Sequence, residues 1–161
     1  MIIIVDGPDR AGKSLLCSLL SKATGYKIEH LSKDYVVPVV KSYLDLLDHD
    51  NTIFDRFYYS EIIYSNIKHR NLYLSDVDCM QIDEKIEQVN AIVLHVTSDF
   101  EVLQARLVET GDDYINSYEL DQLKMLYDDY MARKDNVTTL NTNINSGAIN
   151  ELVRIIGRST S

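Results

Sequence analysis

The first twenty residues contain the pattern that most constrains this chain. A short apolar run, Ile2–Val5, leads to Gly7-Pro8-Asp9-Arg10-Ala11-Gly12-Lys13-Ser14, and leucines at helical spacing follow at 15, 16, 19 and 20. A short continuous apolar run is typical of a buried parallel strand, and the leucine spacing is typical of an amphipathic helix. The octapeptide matches G-x-x-x-x-G-K-[S/T], in which backbone N–H groups surround an anion. The pattern therefore predicts a phosphate-binding loop between a strand and a helix.

The residue types in this loop suggest how it binds a nucleotide. Lys13 can reach the terminal phosphates, and the Ser14 hydroxyl can ligate Mg²⁺. The helix that follows directs its positive dipole end at the same place. We therefore expect ATP as the phosphate donor, with Mg²⁺. The predicted ATP-binding residues in this segment are Gly7, Asp9, Arg10, Ala11, Gly12, Lys13, Ser14 and Leu15.

Length and composition restrict the class of protein. A chain of 161 residues with 45% hydrophobic residues predicts one domain, 1–161, around a single core. A net charge of −9 argues against a surface for stable nucleic-acid binding. No apolar run approaches the length of a membrane span, and Asp6 interrupts the first run too early for a signal peptide. The isolated Cys17 and Cys79 lack metal-site spacing and fit a reducing cytoplasm.

Apolar strand-like runs alternate with helical periods along the rest of the chain. The alternation predicts an α/β fold, with a parallel sheet covered by helices on both faces. Ser75-x-x-Asp78 and Ser98-x-x-Glu101 are predicted capping boxes at the starts of two of these helices. The predicted strands are Ile2–Val5, Tyr26–His30, Thr52–Phe54, Ala91–Val96 and Val137–Leu140.

A second charged site is predicted at Asp55-Arg56, directly after the third apolar run. In open α/β sheets, ligands bind beyond the carboxyl ends of the strands. A carboxylate there can hold Mg²⁺ or orient an attacking oxygen, and a guanidinium can bind a second phosphate with two hydrogen bonds. Metal ligation is therefore assigned to Ser14 and Asp55.

Several segments resemble thymidylate kinases. Gly7–Ser14 is similar to their phosphate loop, in which an Asp-Arg pair precedes Gly-Lys. Asp55-Arg56-Phe57, with Ser60 and Tyr64 after it, is similar to their Asp-Arg-aromatic motif. The segments Asp99–Gly111 and Leu140–Ile156 are similar to the approach to their lid and to their last strand, adenine-side loop and closing helix. The compact length suggests a minimal, viral member of that group.

The resemblance implies a three-layer P-loop kinase fold with five parallel strands in the order 2-3-1-4-5. It implies that Arg56 holds the phosphate of the acceptor nucleotide, and that Asp9 contacts the sugar 3′-hydroxyl or the metal-bound phosphates. Arg106 would lie near ATP at the root of the lid. Asn141 and Asn143 would lie at the edge of the adenine. The implied substrate-binding residues are Asp9, Lys33, Asp55, Arg56, Tyr64 and Tyr114.

The candidate lid, residues 109–117, contains three carboxylates and no Lys or Arg. Phosphoryl transfer needs cations near the transferred group, and many nucleotide kinases supply them from the lid. Arg10 in the phosphate loop is the nearest replacement, as in one subgroup of thymidylate kinases. The predicted catalytic residues are therefore Arg10, Lys13, Asp55 and Arg56. Analogy also allows a homodimer through helices beside Tyr59–Ile67.

The function implied by these residues is Mg²⁺- and ATP-dependent phosphorylation of a pyrimidine deoxynucleoside monophosphate, such as dTMP or dUMP. The alternative is a deoxynucleoside kinase that acts on a 5′-hydroxyl. A nucleotide-binding switch is a third candidate, although Thr97-Ser98-Asp99 stands where a guanine-reading Asn-Lys-x-Asp would be expected. Thymidylate kinases read thymine with an arginine on the helix before the Asp-Arg motif, where this chain has only Lys41. The base therefore stays open.

Overall fold

The computed structural model describes residues 1–32, 37–112, 114–143 and 146–161. Helices and strands alternate along most of the chain, as the apolar pattern predicts. Their bounds, in chain order, are β1 Ile2–Asp6, α1 Lys13–Thr24, β2 Lys27–His30, α2 Val40–Leu46, β3 Thr52–Asp55, α3 Tyr58–Ile67, α4 Asp76–Gln88, β4 Ile92–Thr97, α5 Phe100–Thr110, α6 Ser117–Ala132, β5 Val137–Asn141 and α7 Ser146–Ser159.

The five strands form one parallel sheet in the order β2-β3-β1-β4-β5. The predicted α/β fold and its strand order 2-3-1-4-5 are therefore confirmed. Strand β1 lies in the middle, where Ile4 is paired with Phe54 of β3 on one side and with Val93 of β4 on the other. All five β1 residues are buried, as expected for a central parallel strand. The phosphate loop thus leaves the sheet between the carboxyl ends of β3 and β4.

Helices cover the sheet on both faces. Helix α1 packs against α7 and against β1, β2 and β3, whereas α6 packs against β4 and the helices α3 and α5. The buried residues of α1 include Leu16 and Leu20. Leu15, which the sequence analysis grouped with the leucines at helical spacing, is 66% exposed and does not face the core. No helix in the described part of the chain is both long and apolar enough to cross a membrane.

The helix starts confirm one predicted capping box and correct the other. Ser75 caps α4, and its side chain and that of Asp78 exchange hydrogen bonds with the backbone. The predicted box at Ser98-x-x-Glu101 is wrong, since the N-cap of α5 is Asp99 and no side-chain hydrogen bond caps it. The Ser98 hydroxyl instead bonds to the hydroxyl of Thr142, in the loop after β5. A capping box that the sequence analysis missed lies at Asn116 and Glu119, at the start of α6.

Candidate active site

The loop between β1 and α1 has the backbone geometry that its glycines predict. Gly7 has φ +154°, and a Cβ built on it would lie 2.0 Å from the carbonyl oxygen of Val96 on β4. Gly12 has φ +99° and is the N-cap of α1. A side chain at residue 7 would displace the sheet backbone, and one at residue 12 would strain the helix start. Both glycines of the motif, Gly7 and Gly12, are therefore structural requirements.

Lys13 folds back over this loop. Its Nζ donates a hydrogen bond to the carbonyl oxygen of Pro8 at 2.8 Å, and the residue is only 7% exposed. Burial, reinforced by the positive charge of Arg56, lowers the pKa of Lys13 to about 8, while Asp9 and other nearby carboxylates oppose the shift. A phosphate bound in the loop would supply the negative charge that stabilises the Lys13 ammonium.

Ser14 and Asp55, the two residues predicted to ligate a metal, lie side by side. The Ser14 hydroxyl donates to Oδ2 of Asp55 at 3.4 Å, and Nδ1 of His30 lies 3.0 Å from the same oxygen. The other oxygen, Oδ1, is buried and has no hydrogen-bond partner among the described residues. A buried carboxylate oxygen normally has a partner, so this orphaned atom fits Mg²⁺ or one of its water ligands.

The oxygen donor set also fits magnesium chemically. Mg²⁺ is commonly held by one or two protein groups and the phosphates of the substrate, so it does not need a protein cage. No group of three or more His, Cys, Asp or Glu that could hold a metal occurs among the described residues.

Arg56 is held beside the loop by Asp9 and Tyr64. Its Nη2 donates to Oδ1 of Asp9 at 2.6 Å, and its guanidinium carbon lies 5.2 Å from the centre of the Tyr64 ring. The Tyr64 hydroxyl donates to the other oxygen of Asp9. Burial by itself would raise the pKa of Asp9, but the charges of Arg56 and Lys13 together with these hydrogen bonds lower the pKa below its usual value. Asp9 is therefore an ionised partner that orients Arg56.

The backbone of Arg56 is also fixed in an unusual conformation. Its φ is +75°, a region that residues other than glycine seldom adopt. Its N–H donates to the carbonyl oxygen of Val5 at 2.9 Å, which continues the pairing of β3 with β1 for one more residue. The strained backbone turns the chain into α3 and leaves the side chain directed at the phosphate loop. Strain of this kind is concentrated at functional sites.

Asp6 connects the two parts of the site and was missed by the sequence analysis. It is 0% exposed, and its carboxylate accepts hydrogen bonds from the N–H groups of Gly7 and Phe57, both at 2.8 Å. The hydroxyls of Ser60 and Tyr127 also donate to it, at 2.7 Å and 3.0 Å. A charged residue at the end of a central strand is the signal that could have revealed it. One buried carboxylate thus joins the phosphate loop to the segment that carries Arg56.

Arg10 points away from the loop toward the predicted lid. Its Nη2 lies 2.5 Å from the carbonyl oxygen of Gly111 and 3.2 Å from Oδ2 of Asp112. Its Nε is buried and has no hydrogen-bond partner among the described residues. The loop arginine and the acidic lid are thus in direct contact, whereas Asp113 of the lid lies outside the described residues.

Arg106 and Thr142 donate hydrogen bonds to carbonyl oxygens of the phosphate loop. Its Nη1 donates to the carbonyl oxygen of Arg10 at 2.7 Å, and the hydroxyl of Thr142 donates to the carbonyl oxygen of Ala11 at 2.8 Å. The predicted adenine-side residues lie close by, with Oδ1 of Asn143 accepting from the Asp99 N–H at 2.7 Å. Oδ1 of Asn141 accepts the N–H of Asn143 at 2.9 Å, and Nδ2 of Asn141 donates to Oδ1 of Asp99 at 3.4 Å, so both asparagines contact the residue that precedes α5.

A cavity of about 250 Å³ opens beside Arg56. Tyr64 and Tyr114 lie on its wall, with nearly parallel rings whose centres are 6.3 Å apart. Glu61 and Arg70 also line it, and neither was predicted. Lys33, which was predicted to bind the substrate, lies outside the described residues. Asp9, Arg56, Tyr64 and Tyr114, which were also predicted to bind the substrate, line the cavity, whereas the predicted substrate residue Asp55 lies beside Ser14.

Comparison with known proteins identifies a relative over most of the chain. The sequence is 32% identical over 136 residues to the SPbeta prophage-derived uncharacterized protein YorR of Bacillus subtilis (strain 168), which covers 81% of this chain and 82% of YorR. The chain belongs to the YorR family. The crystal structure of YorR, determined in complex with phosphorylated GDP, has a TM-score of 0.80 at 28% identity, covering 97% of this chain and 93% of that one. No family model matches the chain.

More distant solved structures share the fold of this YorR-family chain. Deoxyadenosine kinase from M. mycoides, with bound dCTP, has a TM-score of 0.65 at 17% identity, covering 99% of this chain and 100% of that one. Thymidylate kinase from Candida albicans has a TM-score of 0.63 at 17% identity, covering 98% and 91%. These neighbours are P-loop kinases that act on nucleosides or nucleotides. At this level of identity they support the fold and leave the substrate of the YorR family open.

Proposed function

We propose that this chain transfers the terminal phosphoryl group of ATP to a nucleoside monophosphate, with Mg²⁺. The observation that carries the proposal is the position of Arg56. Its guanidinium is largely buried beside the phosphate loop, with 19% of the side chain exposed, is oriented by Asp9, and borders a cavity. A guanidinium in this position can bind the phosphate of an acceptor nucleotide with two hydrogen bonds.

Each group of the site has a task in this reaction. The loop N–H groups and Lys13 bind the donor phosphates, and Ser14 and Asp55 hold Mg²⁺. When bound, Mg²⁺ offsets negative charge on the phosphates. Arg56 places the acceptor phosphate in line, and Arg10, once released from its contact with the lid, brings a cation to the transferred group. Positioning and charge stabilisation of this kind supply most of the catalysis in phosphoryl transfer.

The adenine-side and acceptor-side residues complete the assignment. Arg106 supports the loop through the Arg10 carbonyl, and Asn141 and Asn143 form the edge against which the adenine packs. Tyr64 and Tyr114 flank the acceptor sugar or base. These roles extend the resemblance to thymidylate kinases.

The acceptor base has two candidates. A pyrimidine, as in dTMP or dUMP, follows from the thymidylate kinase resemblance. A guanine nucleotide is favoured by the relative YorR, whose crystal structure contains phosphorylated GDP. A nucleoside kinase is less well supported, because a nucleoside acceptor has no phosphate for Arg56 to bind.

A coupled assay of ADP release across dTMP, dUMP, dCMP, dGMP, dAMP and the corresponding nucleosides tests the proposal. At least one monophosphate should be phosphorylated with a higher kcat/KM than its nucleoside. The difference should be at least about a hundredfold, because two charge-assisted hydrogen bonds to a phosphate contribute about 1.5–3 kcal/mol each. Faster turnover of a nucleoside would support a nucleoside kinase. ATP hydrolysis that no acceptor accelerates would support a switch protein.

The variant Arg56→Gln refines the test. It should raise the KM of the monophosphate strongly, while the affinity for ATP should change little because Arg56 contacts the acceptor side. Arg154→Gln is the matched control, since Arg154 is 46% exposed and pairs with Glu151 on the surface of α7. Equal losses of acceptor and ATP affinity in Arg56→Gln would contradict the assignment of Arg56 to the acceptor.

A further inference from the structure

Two charged residues, Glu61 and Arg70, line the cavity beside Arg56 and have no role in the proposed phosphoryl transfer. Glu61 lies on α3, one turn before Tyr64, and Arg70 follows the end of the same helix. Nη2 of Arg70 is 3.8 Å from Oε2 of Glu61, which is longer than a hydrogen bond. The side chain of Glu61 is 11% exposed and that of Arg70 is 34% exposed, so the carboxylate is largely removed from water and the guanidinium is partly removed.

The hydrogen-bonding capacity of this pair is not saturated. Oε1 of Glu61 accepts a hydrogen bond from the Ser65 hydroxyl at 3.0 Å. Nε of Arg70 is buried and has no hydrogen-bond partner among the described residues. A largely buried carboxylate that binds its guanidinium only loosely, and a buried Nε without a partner, are costly unless another polar group satisfies them. The cavity beside them is where such a group would lie.

The wall next to the pair is aromatic. Tyr43 and Phe57 are buried and meet edge to face, with ring centres 5.3 Å apart, and both line the cavity. Both Glu61 and Arg70 are close enough to Tyr43 for their charges to affect its pKa, which burial raises above its usual value. A planar ring held against this wall would present its polar edge to Glu61 and Arg70.

We propose that Glu61 and Arg70 read the base of the acceptor nucleotide, and that the base is guanine. The inference rests on the proposed function, because it takes the cavity beside Arg56 as the acceptor site. Guanine presents two adjacent N–H donors, N1–H and the N2 amino group, to a carboxylate. Its O6 and N7 acceptors, next to N1–H, accept two hydrogen bonds from a guanidinium.

The other bases satisfy this pair less completely. Adenine and cytosine offer the carboxylate one amino group beside a ring nitrogen that repels it, and thymine offers one N–H between two carbonyl oxygens. Only guanine among the four common bases supplies two neighbouring donors to Glu61 and two neighbouring acceptors to Arg70. The base-reading arginine that the sequence analysis sought on α2 would then follow α3. The basic side chain of α2, Lys41, is 80% exposed and paired with Asp45.

The test compares kcat/KM for dGMP, dIMP, dAMP, dCMP and dTMP in the unmodified protein. The dIMP base lacks the N2 amino group and is otherwise like guanine, so it isolates the contact with Glu61. We expect dGMP to be preferred over dIMP by about 5- to 150-fold, which corresponds to about 1–3 kcal/mol for one good bidentate contact. A preference for dAMP, dCMP or dTMP would overturn the guanine assignment and leave the proposed function standing.

Two substitutions then assign the contact. Glu61→Gln should lower kcat/KM for dGMP strongly and for dIMP weakly, which reduces the ratio between them. Arg70→Gln should weaken dGMP and dIMP alike, because both keep O6 and N7. Glu84→Gln, at an exposed position on α4, is the matched control and should leave the ratio unchanged. An unchanged ratio in Glu61→Gln would refute the role of Glu61, as would an equal loss for every base.

Equilibrium binding separates this inference from the proposed function. If no monophosphate is phosphorylated, calorimetric titration with dGMP and dIMP still reports the base preference. Tighter binding of dGMP that depends on Glu61 would uphold base reading while the phosphotransfer proposal fails. Equal affinities for the two nucleotides, or no binding of either, would overturn the base assignment.

Discussion

The substitution Asp6→Asn tests whether one buried carboxylate holds the two halves of the site together. Asp6 lies at the end of β1 with no exposed surface, and its Oδ1 accepts from the Gly7 N–H and the hydroxyls of Ser60 and Tyr127. Its Oδ2 accepts from the Phe57 N–H at 2.8 Å and the Ser60 N–H at 3.3 Å. Asparagine preserves the shape but replaces one acceptor oxygen with an NH₂ donor.

The expected loss in the free energy of unfolding depends on which of the two oxygen positions the NH₂ group occupies. At the Oδ2 position it leaves two backbone donors, Phe57 and Ser60, without an acceptor. At the Oδ1 position it leaves only the Gly7 N–H, because the two hydroxyls can rotate to accept. An unsatisfied buried donor costs about 1–3 kcal/mol, and the remaining bonds lose their charge assistance. The second arrangement costs less, and we expect the free energy of unfolding to fall by about 2–4 kcal/mol.

Urea unfolding followed by circular dichroism measures this change at constant m-value. Asp129→Asn on the surface of α6, where the side chain is 63% exposed, is the control and should change the free energy of unfolding by less than about 0.5 kcal/mol. If the folded Asp6→Asn protein is assayed well below its unfolding midpoint, kcat should also fall, because Gly7 and Phe57 flank the two phosphate sites. A loss of stability below about 1 kcal/mol would refute the reasoning.

Three further predictions concern the phosphate loop. The pKa of Lys13 is lowered to about 8, and anionic ATP favours the protonated form of this lysine. The Kd of ATP should therefore rise above pH 8 by about tenfold per pH unit. Calorimetry in two buffers should detect the uptake of a proton when ATP binds. Gly7→Ala should abolish ATP binding, since its Cβ would lie 2.0 Å from the Val96 oxygen; retained binding in a fluorescence titration would contradict that geometry. Arg10→Ala should lower kcat by about 10³ or more if Arg10 acts as an arginine finger, whereas a change within about threefold would disprove its catalytic role.

Much of the fold follows from local pattern. The strands β1, β3 and β4 are short apolar runs bounded by polar or turn residues, and the helices between them have clear apolar periods. These signals are local, so they predict the elements and their parallel arrangement. The capping box at Ser98 failed for a non-local reason. The Ser98 hydroxyl bonds to Thr142, which is 44 residues away in sequence and meets it only because β5 pairs with β4.

The site was predictable where a motif fixes both the residue and its backbone geometry. Lys13 and Ser14 are placed by the loop, and Asp55 follows from its position at a strand end. Contacts that cross between elements carry no such signal. Glu61 lies on α3 and Arg70 lies just after the end of that helix. Only the folded chain shows that both residues border the same cavity as Arg56.

The lid illustrates how an acidic segment can serve a site for anions. Residues 109–117 contain carboxylates where cations are expected, and the structure places one of them, Asp112, 3.2 Å from Nη2 of Arg10. A phosphate chain entering the loop would compete with Asp112 and the Gly111 carbonyl for the same guanidinium. Because a bound phosphate carries more charge than one carboxylate, ATP would draw Arg10 from the lid into the site. The acidic lid would then hold the catalytic cation when the nucleotide is absent, and the charge pattern that looked unfavourable in the sequence would orient Arg10 before binding.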